Sequence, residues 1–161
     1  MQTFLRFLFL LSMTFWIGSI FFFSLIAAPS IFKVLPRQMA GDLVSDIFPK
    51  YYLIAYVCGG VALVVTILYW VMENTLSGIS NALRIVILVV MLGLTIYAGA
   101  VIRPQALDVK SEMRSLVEDS SQYKEAQVKF NKLHKQSVVI NSIVFLLGIA
   151  IVFVTAYTYK Q

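Results

Sequence analysis

The sequence predicts an all-α integral membrane protein, a four-helix bundle whose third and fourth spans extend into a cytoplasmic helical hairpin. Three observations predict it. The 161-residue chain is 60% hydrophobic and only 13% charged, whereas a soluble domain of this size carries about 25% charged residues. The apolar residues fall in four runs, each near the roughly 20 residues that a helix needs to cross a bilayer. The basic residues gather in the two longer polar connections. One compact unit fits the length. The chain therefore reads as a single membrane domain over 1–161, with spans at about 3–28, 51–72, 82–102 and 137–157 and polar connections at 29–50 and 103–136.

The first run, from about Thr3 to Ala28, contains one charge, Arg6. A cleaved signal peptide is the rival reading, because Ala27-Ala28 offers a cleavage site. The apolar stretch is too long for that, and Arg6 alone makes a poor basic leader. Ser12, Trp16, Ser19 and Phe23 recur at i, i+4, i+7 and i+11 and share a face. Hydroxyls in lipid find partners on neighbouring helices, so this face is expected to pack inward. Pro29 is expected to end the helix or kink its exit. In the first connection Pro36 opens a short helix and Pro49 closes it. Met39, Leu43 and Ile47 share one face, with Ser45 opposite. The segment reads either as an amphipathic helix lying on the membrane surface or as a structured loop.

Tyr51 to Met72 is the second span. Tyr51, Tyr52 and Tyr56 are expected at one interface, Tyr69 and Trp70 at the other. Cys58-Gly59-Gly60 lies near mid-depth, where small residues let helices approach closely. A short link, Glu73 to Asn81, leads to the third span, Ala82 to Ile102. There Thr95 and Gly99 form a small-xxx-small face, to which Gly93, Ala98 and Ala100 add. Residues 105–136 are too polar to span, yet carry helical signals at Leu107, Met113, Leu116 and Val117, then at Val128, Phe130 and Leu133. Asp119-Ser120-Ser121 interrupts the pattern and offers a helix N-cap. The third span is therefore expected to run past the membrane, turn there, and return as one helix continuous with the fourth span, Ser137 to Tyr157. Tyr157 and Tyr159 mark the far interface.

The net charge is +5. The basic residues alternate with acids in the connections and form no basic face with interleaved aromatics, so the positive-inside rule explains them and nucleic acid does not. Lys33, Arg37, Lys50, Arg103, Lys110, Arg114, Lys124, Lys129, Lys132 and Lys135 fall on one side; Arg6, Arg84 and Lys160 fall on the other. This imbalance puts the larger loops in the cytoplasm and both termini outside. The single Cys58 excludes an internal disulfide framework.

Candidate site residues cluster on the cytoplasmic side. His134 is the only histidine. His134, Ser137 and Asn141 stand at i, i+3 and i+7 on one face, with Asn141 roughly 10 Å deeper. Arg103, at the exit of the third span, lies level with His134, and Lys33, Arg37 and Asp42 belong to the same side. With Trp16 and Ser19 from the first span, Arg103, His134, Ser137 and Asn141 are the expected lining of a polar ligand pocket. A planar guanidinium fork suits carboxylate or phosphate. The plainer readings are that Arg103 snorkels to headgroups, that His134 is solvated between Lys132 and Lys135, and that Asn141 joins helices. Arg6, Glu73 and Arg84 read as ordinary helix-end charges. No metal site is expected, because no two of Met13, Met91 and Cys58 lie on one helix at ligand spacing. Spans without a carboxylate, and the lack of a Ser-His-Asp or Cys-His arrangement, speak against a pump and against an enzyme.

Phe15-Trp16-Ile17-Gly18-Ser19, Ala27-Ala28-Pro29 with Phe32, Leu35-Pro36 with Ala40-Gly41, and Phe48-Pro49 with Tyr51-Tyr52 resemble the transmembrane-protein-205-like family. Ile102-Arg103-Pro104 and His134 with Ser137 and Asn141 extend the resemblance over nearly the whole chain. The resemblance implies a membrane domain whose bacterial members have no described function, and a place in the bacterial inner membrane. The family's animal namesake is associated with platinum-drug resistance and vesicle traffic. The four-span plan is also similar to copper-resistance D proteins and to the haem-binding four-helix protoporphyrinogen oxidases, a likeness of architecture that does not fix function.

Three function classes follow. The first is a non-enzymatic membrane protein that binds a partner protein or a small polar or anionic ligand at the cytoplasmic pocket, as an accessory subunit of a membrane complex or as a homo-oligomer. The second is a redox protein carrying haem b, for which His134 is the sole histidine ligand available. The third is a small transporter or permeation subunit. The bilayer is the one partner that composition requires.

Overall fold

The computed structural model describes residues 2–73, 78–118 and 120–158. Four helical rods are long and apolar enough to cross a membrane, and no strand occurs among the described residues. The chain is thus an all-α, multi-pass integral membrane protein. The first rod is α1 (Gln2–Phe22), a π-helical segment (Phe23–Ala27) and α2 (Ala28–Val34). The second is α3 (Arg37–Glu73). The third is α4 (Gly78–Tyr97), a second π-helical segment (Ala98–Ile102) and α5 (Arg103–Ser115). The fourth is α6 (Ser121–Thr158).

The rods form a ring in chain order, each packed on the next and the fourth on the first. Neighbours run antiparallel. Arg6 meets Tyr69 and Phe23 meets Tyr51 between the first and second rods. Asp42 meets Lys110 between the second and third. Phe21 and Phe145, with centroids 6.3 Å apart, join the first and fourth. Gln2 and Thr158 therefore lie at one end, here the terminal end, and the α5–α6 turn lies at the other, the hairpin end. Trp16, Met13, Leu88, Met91 and Ile151 are fully buried between the rods. Gly59 lets the second rod close on this layer, because a Cβ there would stand 2.9 Å from the Trp16 ring and from Leu92.

Pro29 does not end the first helix, which continues to Val34. A proline ring clashes with the carbonyl four residues back and supplies no N–H. The π segment before it widens the turn, with the Ala28 N–H donating to the Phe23 carbonyl. The same arrangement precedes Pro104, where the Arg103 N–H donates to the Ala98 carbonyl. Nor does Pro49 close a short helix, for it lies inside α3. Residues 37–50 are neither a surface helix nor a loop but the opening turns of α3. They bury Ala40 and Val44 and expose Met39 and Leu43.

The hairpin forms as expected. The Tyr123 N–H donates to Ser120 Oγ at 3.1 Å, which caps α6; Asp119 lies outside the described residues, as do Tyr159 and residues 74–77 of the short link. Ile102, Val109, Ala126 and Leu133 make a small core of their own here. Val117 and Val128 are exposed. Of the small residues on the third rod, Thr95, Ala98 and Gly99 are buried, whereas Gly93 and Ala100 face outward. At 37 and 38 residues, α3 and α6 each rise roughly 55 Å, almost twice the hydrocarbon thickness of about 30 Å. Their polar ends therefore project beyond the lipid at the hairpin end.

Candidate functional site

Where the rods leave the apolar region at the hairpin end, the two π segments face α3. Tyr51 and Tyr52, expected at the lipid interface, are instead buried in the bundle. They belong to an aromatic cluster: Phe23 lies 5.4 Å from Phe48 and 5.5 Å from Tyr51, Tyr51 lies 5.3 Å from Tyr52, and Tyr52 lies 6.1 Å from Tyr56, centroid to centroid. Such contacts favour burial over headgroup anchoring, because ring pairs at these distances add to the hydrophobic gain. Gly99, in the second π segment, receives the Tyr52 ring and the Tyr56 hydroxyl; a Cβ there would stand 2.9 Å from the Tyr52 ring and closer still to the hydroxyl.

Arg103 follows one turn later. Its guanidinium is within electrostatic reach of the Tyr52 and Tyr56 phenols. Its side chain is half-buried, and its Nε is shut off from solvent with no hydrogen-bond partner among the described residues. Beyond it, Asp42 accepts hydrogen bonds from Lys110 Nζ (2.9 Å) and from Arg114, and the same Nζ lies 3.0 Å from Ser45 Oγ. Lys110, then Arg114, hold the Asp42 carboxyl below the ordinary carboxylate range. This group clamps α3 to α5.

The other expected pocket residues are placed differently. Trp16 is fully buried, with its Nε1 unpaired among the described residues. Ser19 is half-buried and donates to the Trp16 carbonyl at 2.8 Å, a bond within its own helix. Ser137 and Asn141 are half-buried. His134 is exposed, and its ring lies nearly parallel to that of Phe130 at 6.4 Å on the hairpin surface. Lys33 and Arg37 are exposed as well. Arg103 is thus the member of the expected set that the fold seats among ring and phenol groups. Tyr52 and Tyr56 are its neighbours, and periodicity did not single them out as site residues.

The terminal end holds a second polar group. Arg84 and Asn81 of α4 are only 5% and 3% exposed, and Thr66 of α3 is buried beside them. Arg6 Nη2 donates to the Tyr69 hydroxyl at 2.5 Å, and Arg84 Nη1 lies 3.5 Å from Asn81 Oδ1. Arg6, Thr66, Tyr69 and Arg84 line a common cavity of about 20 Å³. Reading Arg6 and Arg84 as ordinary helix-end charges missed this. The signal was there, since Arg84 falls inside the expected third span, and a cation within a span is a site candidate by default.

An uncharacterised protein of Aquifex aeolicus (strain VF5) is 41% identical over 51 residues, which is 32% of this chain and 39% of that protein's length. No solved structure matches the chain. Neither finding bears on the transmembrane-protein-205-like resemblance. Residues 11–115, which contain both π segments, the aromatic cluster, the Asp42 clamp, Arg84 and Arg103, match a domain of unknown function, and the chain belongs to that family, DUF4149.

Proposed function

We propose that this multi-pass membrane protein is a non-enzymatic binding protein that receives an anionic group at Arg103, on the cytoplasmic side of a bacterial inner membrane. The observation that carries the reading is the setting of Arg103. Its Nε is withdrawn from solvent without a protein acceptor among the described residues, beside the Tyr52 and Tyr56 phenols. A buried donor left unpaired is costly, and a carboxylate or phosphate accepts from a guanidinium fork in two places at once. The phenols supply two further donors of the right kind. A bound carboxylate side chain would make the protein an accessory subunit of a larger membrane complex; a free carboxylate or phosphate would make it a ligand-binding protein. The lysine and arginine imbalance between the two ends supports the cytoplasmic assignment of this site.

The test is native mass spectrometry of the wild type and Arg103→Ala, purified in mild detergent, with photocrosslinking from position 105 in cells. A bound anionic species or a crosslinked subunit present in the wild type and lost in Arg103→Ala supports the reading. Identical adducts and crosslinks in both proteins would retire it.

A further inference from the structure

Arg103 marks a level in the bundle as well as a site. Asp42 meets Lys110 between α3 and α5. Lys110 lies seven residues beyond Arg103, and Asp42 lies eight residues before Lys50. The two rods run antiparallel, so Arg103 and Lys50 stand at nearly the same height. From there toward the terminal end, neither rod carries a charge over Tyr51 to Met72 or over Ile85 to Ile102. Those stretches rise roughly 33 and 27 Å, close to the hydrocarbon thickness of about 30 Å. Arg103 therefore lies at the edge of the apolar belt, in the layer of the lipid phosphates. Leu53 and Val57 of α3, and Ile96 and Val101 of the third rod, are exposed on the apolar side of that edge. Arginines at such a border ordinarily reach outward to headgroups and water. Arg103 instead is half-buried, and its Nε is shut off from solvent with no acceptor among the described residues. The acidic residues in this part of α3 are engaged elsewhere, Asp42 by Lys110 and Arg114, and Asp46 by Lys50.

We infer that Arg103 seats the phosphate of an anionic phospholipid of the adjoining leaflet, whose acyl chains lie against the exposed apolar side chains of α3 and the third rod. The inference rests on the anion site proposed above and names its occupant. A guanidinium fork meets two oxygens of one phosphate at once. A phospholipid already presents that phosphate at this depth, and its tails match Leu53, Val57, Ile96 and Val101. A free anion has to leave water to reach the same place, which costs it solvation. Net charge sets the selectivity. A zwitterionic lipid brings its own ammonium next to the phosphate, and this weakens the attraction of the guanidinium. A phosphatidylglycerol headgroup keeps its full negative charge. Anionic lipids of the cytoplasmic leaflet attract basic residues close to the surface, in keeping with the lysines and arginines gathered at this end.

The experiment is native mass spectrometry and thermal unfolding of the protein stripped of lipid in a non-ionic detergent. The probes are phosphatidylglycerol and phosphatidylcholine with identical acyl chains, and inorganic phosphate. One phosphatidylglycerol is expected to stay on the wild type under activation that strips phosphatidylcholine, and to raise Tm along a saturable curve. Arg103→Gln is expected to weaken that binding about tenfold or more, the worth of one charge-assisted hydrogen bond. Lys50→Gln, on the surface at the same height, is expected to leave it unchanged. Should Arg103→Gln fail to fold, the wild type decides alone, and equal retention of the two lipids overturns the inference. Loss of the preference in Lys50→Gln but not in Arg103→Gln would overturn it too, by assigning the lipid to the general basic surface. Arg103-dependent binding of inorganic phosphate or of a crosslinked subunit, without a preference for phosphatidylglycerol, would overturn it and leave the anion site standing. Absence of any Arg103-dependent species would remove both the inference and the site beneath it.

Discussion

The Tyr56 hydroxyl rests against Gly99, one turn before Arg103, at the point where the third rod changes from α to π geometry. The contact fixes how closely α3 approaches that segment. It also sets the phenol at the level of the guanidinium. Packing and site geometry therefore meet in one pair of residues, and changing either perturbs both.

Gly99→Ala is expected to destabilise the protein by about 1–3 kcal/mol, the usual cost of forcing a methyl group into a filled contact. Thermal unfolding in detergent measures it. The nearest obstacle is the hydroxyl, so Tyr56→Phe in the Gly99→Ala background should recover part of the loss. If Gly99→Ala unfolds like the wild type, the two helices are not in contact there.

At Arg103, lysine should not stand in for arginine. A lysine keeps the charge but lacks the fork that engages both oxygens of a carboxylate or phosphate. Arg103→Lys is therefore expected to lose most of the bound species found with the wild type, as Arg103→Ala does. Full retention by the lysine variant would reduce the site to a point charge.

The Asp42 clamp has a defined acid limit. The folded carboxyl titrates below its ordinary value of 3.8, so its stabilisation is present above that value and is lost as the pH falls through the lower, folded one. The gap in Tm between wild type and Asp42→Asn should stay constant from pH 7 to about 5 and close in stronger acid. A gap unchanged at pH 3 would mean that the carboxylate does not hold the clamp.

His134 is exposed on the hairpin, so His134→Ala should alter stability by no more than about 0.5 kcal/mol. The protein purified in mild detergent should show no Soret band, whether oxidised or reduced with dithionite. A Soret band that disappears in His134→Ala would restore the haem b reading and move the centre of function to the hairpin surface.

The assigned sidedness is open to labelling in intact cells. In a Cys58→Ser background, Gln2→Cys should react with a membrane-impermeant maleimide from outside and Ser120→Cys should not. The reverse pattern would place Arg103 on the outer side.

Much of the fold was legible because bilayer thickness and the cost of unpaired backbone groups leave few alternatives to long helices. The hairpin was legible for a different reason: Ser120 is a strong N-cap signal between two periodic stretches. What failed was the place of residues 37–50. Met39, Leu43 and Ile47 read as the apolar face of a separate short helix on the membrane surface, or as part of a loop. The segment instead opens α3, with Ala40 and Val44 buried and Met39 and Leu43 exposed. Periodicity along one short stretch does not show whether it stands apart or continues into the next span. Pro29 and Pro49 misled as well, since prolines signal helix ends in water, but Pro29 is accommodated here by a π segment and Pro49 lies inside α3. In the candidate site, Arg103 was found from its place at a span exit. Tyr52 and Tyr56 were assigned to the interface instead, because nothing in their spacing shows that Gly99 lies opposite.

The length of the rods has a practical consequence for imaging. A protein of 161 residues held wholly inside a detergent micelle gives electron microscopy nothing on which to align particles. Here α5 and the start of α6 stand clear of the apolar belt as a stiff antiparallel pair. A rigid domain grafted at the turn around Ser120, in helical register with α6, would carry its orientation straight into the bundle and serve as an alignment marker.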